Sequence, residues 1–347
     1  MILEATHRLI DGSASAGVHW REREVLVRTV IRLGSIEDAR ALWQAFVHEP
    51  ERFRDTVPAL MAHADEAMAT RIFAAMTTAD GRLREGGPAE LLHLFGYCGI
   101  AQAERMLWEY ARGDGTWTSE CEAAVRGLLH LPCTSLRGEI TATLLGYRGA
   151  SLFPEYVPAL AAKTGRSDLL EVLVEMGDTA STDCNAGIVL GIALYGDAGR
   201  DRFSEAIWSP AWEAGGTGTG TVRATHDGLC VLGLSLRELF AEWERRAGEG
   251  ADPLHGAVLL TNLLRERLQR PHTGLRFAPQ PPDTFADVHA ALYGVADTGT
   301  FASVARKTLE ATDYPFTDLL VLEIETLEEA VLARMAEDAA IAEARGT

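Results

Sequence analysis

Two side chains with nucleophilic and basic chemistry, His226 and Cys230, are four residues apart in a segment with helical periodicity. Residues four apart lie on the same face of a helix. An imidazole beside a thiol lowers the thiol pKa and gives the thiolate nucleophile of Cys–His enzymes. The sequence supplies no evident third residue to orient the histidine, and the alternative is a buried thiol beside a surface histidine. His226 and Cys230 are therefore candidate catalytic residues, with both interpretations open.

A second candidate is the segment Asp178–Ala186, which reads Asp-Thr-Ala-Ser-Thr-Asp-Cys-Asn-Ala. It resembles a segment of the ADP-ribosylglycohydrolases, all-helical enzymes whose aspartates hold magnesium ions that activate water. The resemblance implies that Asp178 and Asp183 are metal ligands and catalytic residues. The Gly-Asp-Ala-Leu-Gly and Thr-Asp-Asp-Thr motifs of that family are absent from this sequence. The alternative is that Ser181, Thr182 or Asp183 caps the next helix, and we expect neither a metal nor a cofactor.

Two other polar segments have structural explanations. The side chains of His63–Glu66 do not share one helix face, so we expect Asp65 and Glu66 to begin a helix, where its dipole favours negative charge. The segment Gly215–Thr221 exposes backbone amides but lacks the phosphate-loop lysine and any evident preceding strand. We therefore predict a loop there rather than a phosphate site.

Tryptophans are candidates for contact residues because exposed aromatic side chains anchor protein interfaces. Trp117 and Trp212 flank Gly-rich segments, and we name them as a candidate binding surface. Trp108 and Trp208 recur at the same spacing as other repeated residues, so we expect them to pack in the core.

The 347 residues include 50 acidic and 32 basic side chains, a net charge of -18. A negative field repels phosphate backbones and anionic lipids, which disfavours nucleic acid and membrane surfaces as partners. Thirteen acidic and four basic residues lie in 283–347. This acidic region would attract a basic protein, and its alternative explanation is a solvated face that aids solubility.

Cysteine usage and hydropathy indicate a cytoplasmic protein. The five cysteines are scattered without a Cys-x-x-Cys motif, as expected for reduced thiols. The first residues lack the basic start and apolar core of a signal peptide, and no apolar run is long enough to span a membrane.

Apolar residues recur mostly three and four apart, which predicts an all-α fold. Glycines at regular intervals indicate where helices end. We predict such breaks at 34–35, 80–81, 113–115, 149, 165, 177–178 and 196–197, each beginning at or next to a glycine.

An internal repeat becomes visible when the chain is compared with itself one hundred residues further on. The segment 57–60 matches 157–160, and 135–137 matches 235–237. A half-period of about fifty residues separates similar helix ends at 94–97, 144–147 and 194–197. The chain thereby resembles the HEAT and armadillo-like superfamily, and 185–196 looks like the Gly-spaced repeats of proteasome base subunits. The resemblance implies stacked helical hairpins in an α-solenoid, with Gly187 and Gly191 allowing close helix approach.

The predicted organisation is an N-terminal helical cap (1–50), a repeat array (51–245, with duplicated blocks 51–137 and 151–237), a helix and irregular link (246–282) and an acidic helical subdomain (283–347). In its last helix Ile324, Leu327, Val331 and Met335 share one side. We expect a protein-protein interaction module or scaffold that binds a basic macromolecule on its concave surface. The alternative is an enzyme of the same fold acting on a small molecule, and a homodimer stays open.

Overall fold

The computed structural model describes residues 2–15, 20–113, 119–209, 220–270, 273–294 and 299–345. Over these ranges the chain is all-α, as the periodicity predicts. The α-helices are α1 (Ile2–Ser15), α2 (Trp20–Leu33), α3 (Ile36–Phe46), α4 (Val57–His63), α5 (Glu66–Met76), α6 (Glu90–Tyr97), α7 (Glu104–Arg112), α8 (Ser119–Leu128), α9 (Arg137–Gly146), α10 (Leu169–Thr179), α11 (Asn185–Ala193), α12 (Asp197–Ile207), α13 (Gly220–Leu232), α14 (Leu236–Gly248), α15 (Pro253–Gln269), α16 (Phe285–Tyr293), α17 (Phe301–Glu310) and α18 (Thr317–Arg345). Short 3-10 helices span Pro50–Thr56, Ala101–Ala103, Thr134–Leu136, Val157–Thr164 and Thr182–Cys184.

Extended backbone pairing is nearly absent from the described residues. It is limited there to an isolated antiparallel bridge between Thr77 and Leu83, in the connection from α5 to α6. None of the described helices is both long enough and apolar enough to cross a lipid bilayer.

Polar residues that precede helices satisfy the unpaired N–H groups of the first turn. The Ser35 hydroxyl and backbone N–H both contact the Asp38 carboxylate in a capping box that begins α3. The Asp65 carboxylate accepts a hydrogen bond from the backbone N–H of Met68 at 2.7 Å. This N-cap confirms that the acidic pair after His63 begins α5.

Several of the predicted glycine breaks lie between helices. Gly165 and Gly196 adopt positive φ angles of 75° and 62°, which a residue without a Cβ tolerates. The break predicted at Gly177 is wrong, because α10 continues to Thr179. A single exposed glycine in a last turn lowers helix stability without ending the helix.

The chain divides into two units: Met1–Leu144 with Lys163–Gly165, and Leu145–Ala162 with Arg166–Thr347. In the first unit α6 packs on α4 and α8. In the second unit α13 lies between α11 and α15. These three helices are buried along most of their length. Any polar side chain on them must find its partners inside the protein.

The first unit contains a backbone-to-backbone contact between α6 and α8. A Cβ atom built on Gly96 would lie 2.1 Å from the carbonyl oxygen of Gly127, and one on Gly127 would lie 2.6 Å from the carbonyl oxygen of Leu92. Neither glycine has room for a side chain.

In the same unit the Lys163 ammonium group donates to the carbonyl oxygen of Leu129 at 3.1 Å, and burial lowers the pKa of Lys163.

In the second unit, the predicted close approach at Gly187 and Gly191 is confirmed. A Cβ atom at Gly187 would lie 2.1 Å from the carbonyl oxygen of Glu155, and one at Gly191 would lie 2.7 Å from that of Pro158. The partner of α11 at this contact is the segment around the 3-10 helix Val157–Thr164.

The two repeated tryptophans lie in the core, as predicted. Trp108 is fully buried, and its indole N–H donates to the Glu139 carboxylate at 3.0 Å. Trp208 is buried, and its ring lies 3.2 Å from where a Cβ atom of Gly256 would stand. Both rings therefore pack against helices.

Candidate functional site

The two aspartates named as metal ligands are exposed. Asp178 lies in the last turn of α10, and Asp183 lies in the 3-10 helix that follows. The alternative is a cap of the next helix by Ser181, Thr182 or Asp183. Ser181 precedes the 3-10 helix without a side-chain cap bond, and the residue at the N-cap of α11 is Cys184 rather than any of the three. In the described ranges no group of three or more His, Cys, Asp and Glu side chains is placed to hold a metal ion.

Trp117 and Trp212, the candidate binding surface, lie outside the described residues.

His226 and Cys230 lie together on α13, and both are buried. His226 is 2% exposed, and its Nδ1 lies 3.7 Å from the carboxylate of Asp227, which is fully buried. Within the described chain neither ring nitrogen of His226 makes a hydrogen bond. The sequence thus brings an imidazole, a carboxylate and a thiol into the interior of the second unit.

Charged side chains at the end of α15 face this group. Arg270 lies 3.5 Å from the carboxylate of Asp227 and 3.0 Å from that of Glu266, so its guanidinium bridges α13 and α15. Glu266 is 4% exposed. Moving charges out of water costs several kcal/mol per ion, and only close pairing offsets that cost.

Arg267 extends the cluster to Asp283, which lies two residues before α16. Its guanidinium donates to the backbone carbonyl of Asp283 at 3.0 Å and lies over the Phe285 ring, 4.3 Å from the centroid. The Asp283 carboxylate accepts the backbone N–H of Leu236, in the first turn of α14, at 3.0 Å. Burial raises the pKa of Asp283, and the nearby Arg267 charge opposes that rise. We call these contacts the Arg267–Asp283 pin; they connect α15 with the start of α14 and with the segment that leads into α16.

The electrostatics of the cluster disfavour a reactive thiolate. Burial raises the pKa of Cys230, the nearby Asp227 carboxylate raises it further, and Arg267 lowers it. A Cys–His nucleophile needs the opposite shift. The arrangement is suited to holding helices in register through buried, partnered charges.

Thiol reactivity distinguishes the two interpretations of Cys230. Burial also raises the pKa of Cys184, and it raises that of Cys133 to about 12, whereas Cys98 is half-buried. We expect iodoacetamide at neutral pH to modify Cys98 first in the folded protein and to reach Cys230 only on unfolding, as read by peptide mass spectrometry. In a Cys98→Ser variant, rapid labelling of Cys230 would instead support a thiolate beside His226.

A different kind of feature lies at the surface of the C-terminal helices. Nine large apolar side chains of the described residues are exposed, and five of them belong to the acidic region: Tyr293, Phe316, Leu319, Leu322 and Leu332. Ile324 and Val331 are fully buried, which confirms the predicted inner side of α18, and Leu327 and Met335 are half-buried. The outer side therefore combines apolar side chains with carboxylates.

Comparisons with known proteins add no relative. No model of a known protein family matches the chain, and neither a curated protein nor a solved structure matches it.

Proposed function

We propose that the protein is a repeat-built helical module of the HEAT and armadillo-like kind that binds a basic protein partner in the cytoplasm. The observation that carries this proposal is the coincidence of exposed apolar side chains and excess negative charge on the C-terminal helices. Apolar side chains contribute affinity when they are buried by a partner, and the surrounding charge selects the partner's sign.

The order of helices supports the duplication. From α4 to α9 the first block has six helices, and the second block has the 3-10 helix Val157–Thr164 followed by α10 to α14. Corresponding turns also agree, because Cys133 and Gly233 both adopt left-handed conformations, with φ of 52° and 64°, just before the repeated Ser-Leu-Arg segment. A cysteine tolerates this conformation poorly, so its occurrence at a glycine position supports common descent of the two blocks.

Charge on the C-terminal helices supports a basic partner. Several carboxylates there, including Glu310, Glu325 and Glu329, are exposed and have no ion-pair partner within the described residues. Uncompensated charge of one sign raises the encounter rate with an oppositely charged protein. The concave surface predicted from the repeat is a second location for the same binding function.

Capture from a native lysate tests the proposal. With the full chain as bait, we expect a stoichiometric protein with a basic isoelectric point that elutes as salt rises from about 0.1 M to about 1 M, because the Debye length falls from about 10 Å to about 3 Å. Mass spectrometry identifies the protein, and native mass spectrometry gives the stoichiometry.

Two bait variants of equal net charge distinguish binding at the α18 surface from nonspecific attraction to the net negative charge of the chain. Glu325→Gln/Glu329→Gln removes two exposed charges of α18, and Glu4→Gln/Glu85→Gln removes two exposed charges of the first unit. The α18 bait should retain less of the partner than the other. If the wild-type chain retains no basic protein at low salt, the binding proposal is wrong and the small-molecule enzyme becomes the better explanation.

A further inference from the structure

Three apolar side chains at the start of α18 form an exposed surface, which we call the α18 patch: Phe316, Leu319 and Leu322. Their exposed fractions are 57%, 64% and 60%. The backbone N–H of Leu319 donates to the carbonyl oxygen of Phe316 at 3.1 Å, so Phe316 already follows the helical spacing. Residues three apart are neighbours on a helix surface. Adjoining exposed apolar side chains of this kind indicate an interaction site.

A cleft of about 290 Å³ lies between α17 and α18 beside this patch. Its lining includes Glu325 and Glu328 from α18 and Arg306, Lys307 and Glu310 from α17. Glu325 is three residues from Leu322, so the cleft begins one helical turn from the patch. A single ligand of modest length therefore reaches both.

Carboxylates dominate the charge available to a ligand in the cleft. Arg306 already pairs with Asp318 at 2.5 Å. Of the other charged lining residues, three are carboxylates and one is Lys307. The cleft thus has an excess of negative charge for a positively charged group to neutralise.

Glu328 is the least exposed of these carboxylates. It is 6% exposed and accepts the backbone N–H of Ala302 at 3.4 Å. Burial raises its pKa, and the nearby Glu325 raises it further. In the described residues no cation lies within ion-pair distance of Glu328, so an arriving cation would supply a missing counter-charge.

We propose that the α18 patch and the adjoining cleft bind a basic amphipathic helix of the partner. This inference rests on the proposed function and specifies its surface and the form of its ligand. The apolar side of the partner helix covers Phe316, Leu319 and Leu322, and an arginine or lysine from its polar side enters the cleft toward Glu325 and Glu328. Recognition of a helix through apolar side chains at i, i+3 and i+7 is a recurring mode of binding.

Charge argues against a second copy of this chain as the occupant. Pairing two such faces would bring together two surfaces that each carry the exposed carboxylates Glu325 and Glu329 beside the patch. Like charges facing each other across an interface cost several kcal/mol. A basic helix instead offers the complementary charge to both residues.

The test uses the full chain and synthetic peptides of about 18 residues, long enough to form a helix. The first peptide has leucines on one helical face and arginines on the other. The second has the same composition in an order that has no apolar face, and the third has glutamine in place of arginine. Isothermal titration calorimetry should show the first peptide binding at least about tenfold more tightly than either of the others, because only it offers both an apolar face and positive charge.

Variants of the protein locate the bound peptide. Leu319→Ser/Leu322→Ser should weaken binding about tenfold, whereas Leu332→Ser, at a 44% exposed position outside the patch, should not. Glu328→Gln should weaken binding of the arginine peptide but not of the glutamine peptide. The matched Glu329→Gln change removes an equal charge from outside the cleft and should have a smaller effect.

Three results would overturn the inference. The first is equal binding of the ordered and scrambled peptides, which indicates nonspecific charge attraction. The second is unchanged binding to Leu319→Ser/Leu322→Ser, which indicates another surface. The third is a wild-type dimer in light scattering that becomes monomeric in that variant, which indicates a second copy. Lysate capture that persists in the same variant would leave the proposed function standing while the docking inference fails.

Discussion

Replacing Gly96 with alanine is expected to destabilise the first unit by about 3 kcal/mol. The added methyl group would lie 2.1 Å from the carbonyl oxygen of Gly127 and 2.4 Å from its Cα atom. Both atoms belong to the backbone of α8, so no side chain can rotate away to make room. Helices α6 and α8 must separate, which loosens the packing around both.

Gly138 provides the matched control for this change. It lies in α9, and a Cβ atom built there would have no heavy atom within 4 Å. Gly138→Ala should therefore stabilise the protein by up to about 1 kcal/mol, the usual helix preference for alanine. Urea unfolding followed by circular dichroism compares the midpoints. Equal midpoints for the two variants would contradict the close contact of α6 with α8.

Replacing Arg267 with methionine is expected to destabilise the second unit by about 3 kcal/mol at neutral pH. Methionine keeps much of the buried side-chain volume but loses the hydrogen bond to the Asp283 backbone carbonyl, the contact with the Phe285 ring and the positive charge that lowers the Asp283 pKa. The Asp283 carboxylate is then buried without its counter-charge. Breaking one side of a buried charge pair costs more than the pair itself contributes.

The penalty of Arg267→Met should increase with pH. The pKa of Asp283 is already raised in the folded protein, and loss of Arg267 removes a charge that lowers it. Because the carboxyl pKa is raised in the folded state, the folded state binds more protons than the unfolded state at pH values above the ordinary carboxyl pKa. Stability is then lost as pH rises through that window. The free energies of unfolding of variant and wild type should diverge as pH rises above the ordinary aspartate pKa of about 4.

A second substitution isolates the charge. In Arg267→Met/Asp283→Asn the amide oxygen still accepts the backbone N–H of Leu236, and the carboxylate at position 283 is no longer there to titrate. The added pH dependence should disappear, and part of the stability should return. If the single variant shows no pH-dependent loss relative to wild type, the pin does not contribute the stability that we assign to it.

Local patterns were sufficient to predict the elements. Asp65 precedes a helix because its carboxylate accepts a first-turn N–H group, and Ser35 precedes one because its N–H and hydroxyl donate to the Asp38 carboxylate; this chemistry acts over three residues. The inner face of α18 at Ile324 and Val331 follows from spacing within one helix. Gly177 was misjudged because a glycine ends a helix only when its turn needs a left-handed conformation.

The buried cluster could not be predicted from the same patterns. Glu266, Arg267 and Arg270 end an amphipathic-looking stretch, and local periodicity places such residues in solvent. Glu266 and Arg267 are buried and Arg270 is half-buried because α13 and Asp283 pack against them, which depends on contacts distant in sequence. Charged residues three and four apart inside apolar helices were the available signal for the cluster.

The α18 patch was missed for the converse reason. Phe316, Leu319 and Leu322 have the spacing of a core-facing stripe, yet they are exposed. Spacing identifies a shared face of a helix but not what covers it. The neighbouring Val321 and Ile324 are buried instead. Because only one side of the helix faces the core, the side that carries the α18 patch faces outward.

The two lysines of this chain differ in their availability for acylation. Lys163 is half-buried and donates to a backbone carbonyl, whereas Lys307 is exposed at the rim of the cleft. Among lysine side chains, acetylation or ubiquitin attachment is therefore directed to one position. An acetyl group there would cancel a positive charge beside Glu310 and Glu325, so one modification would alter the surface that we propose as the partner's binding site.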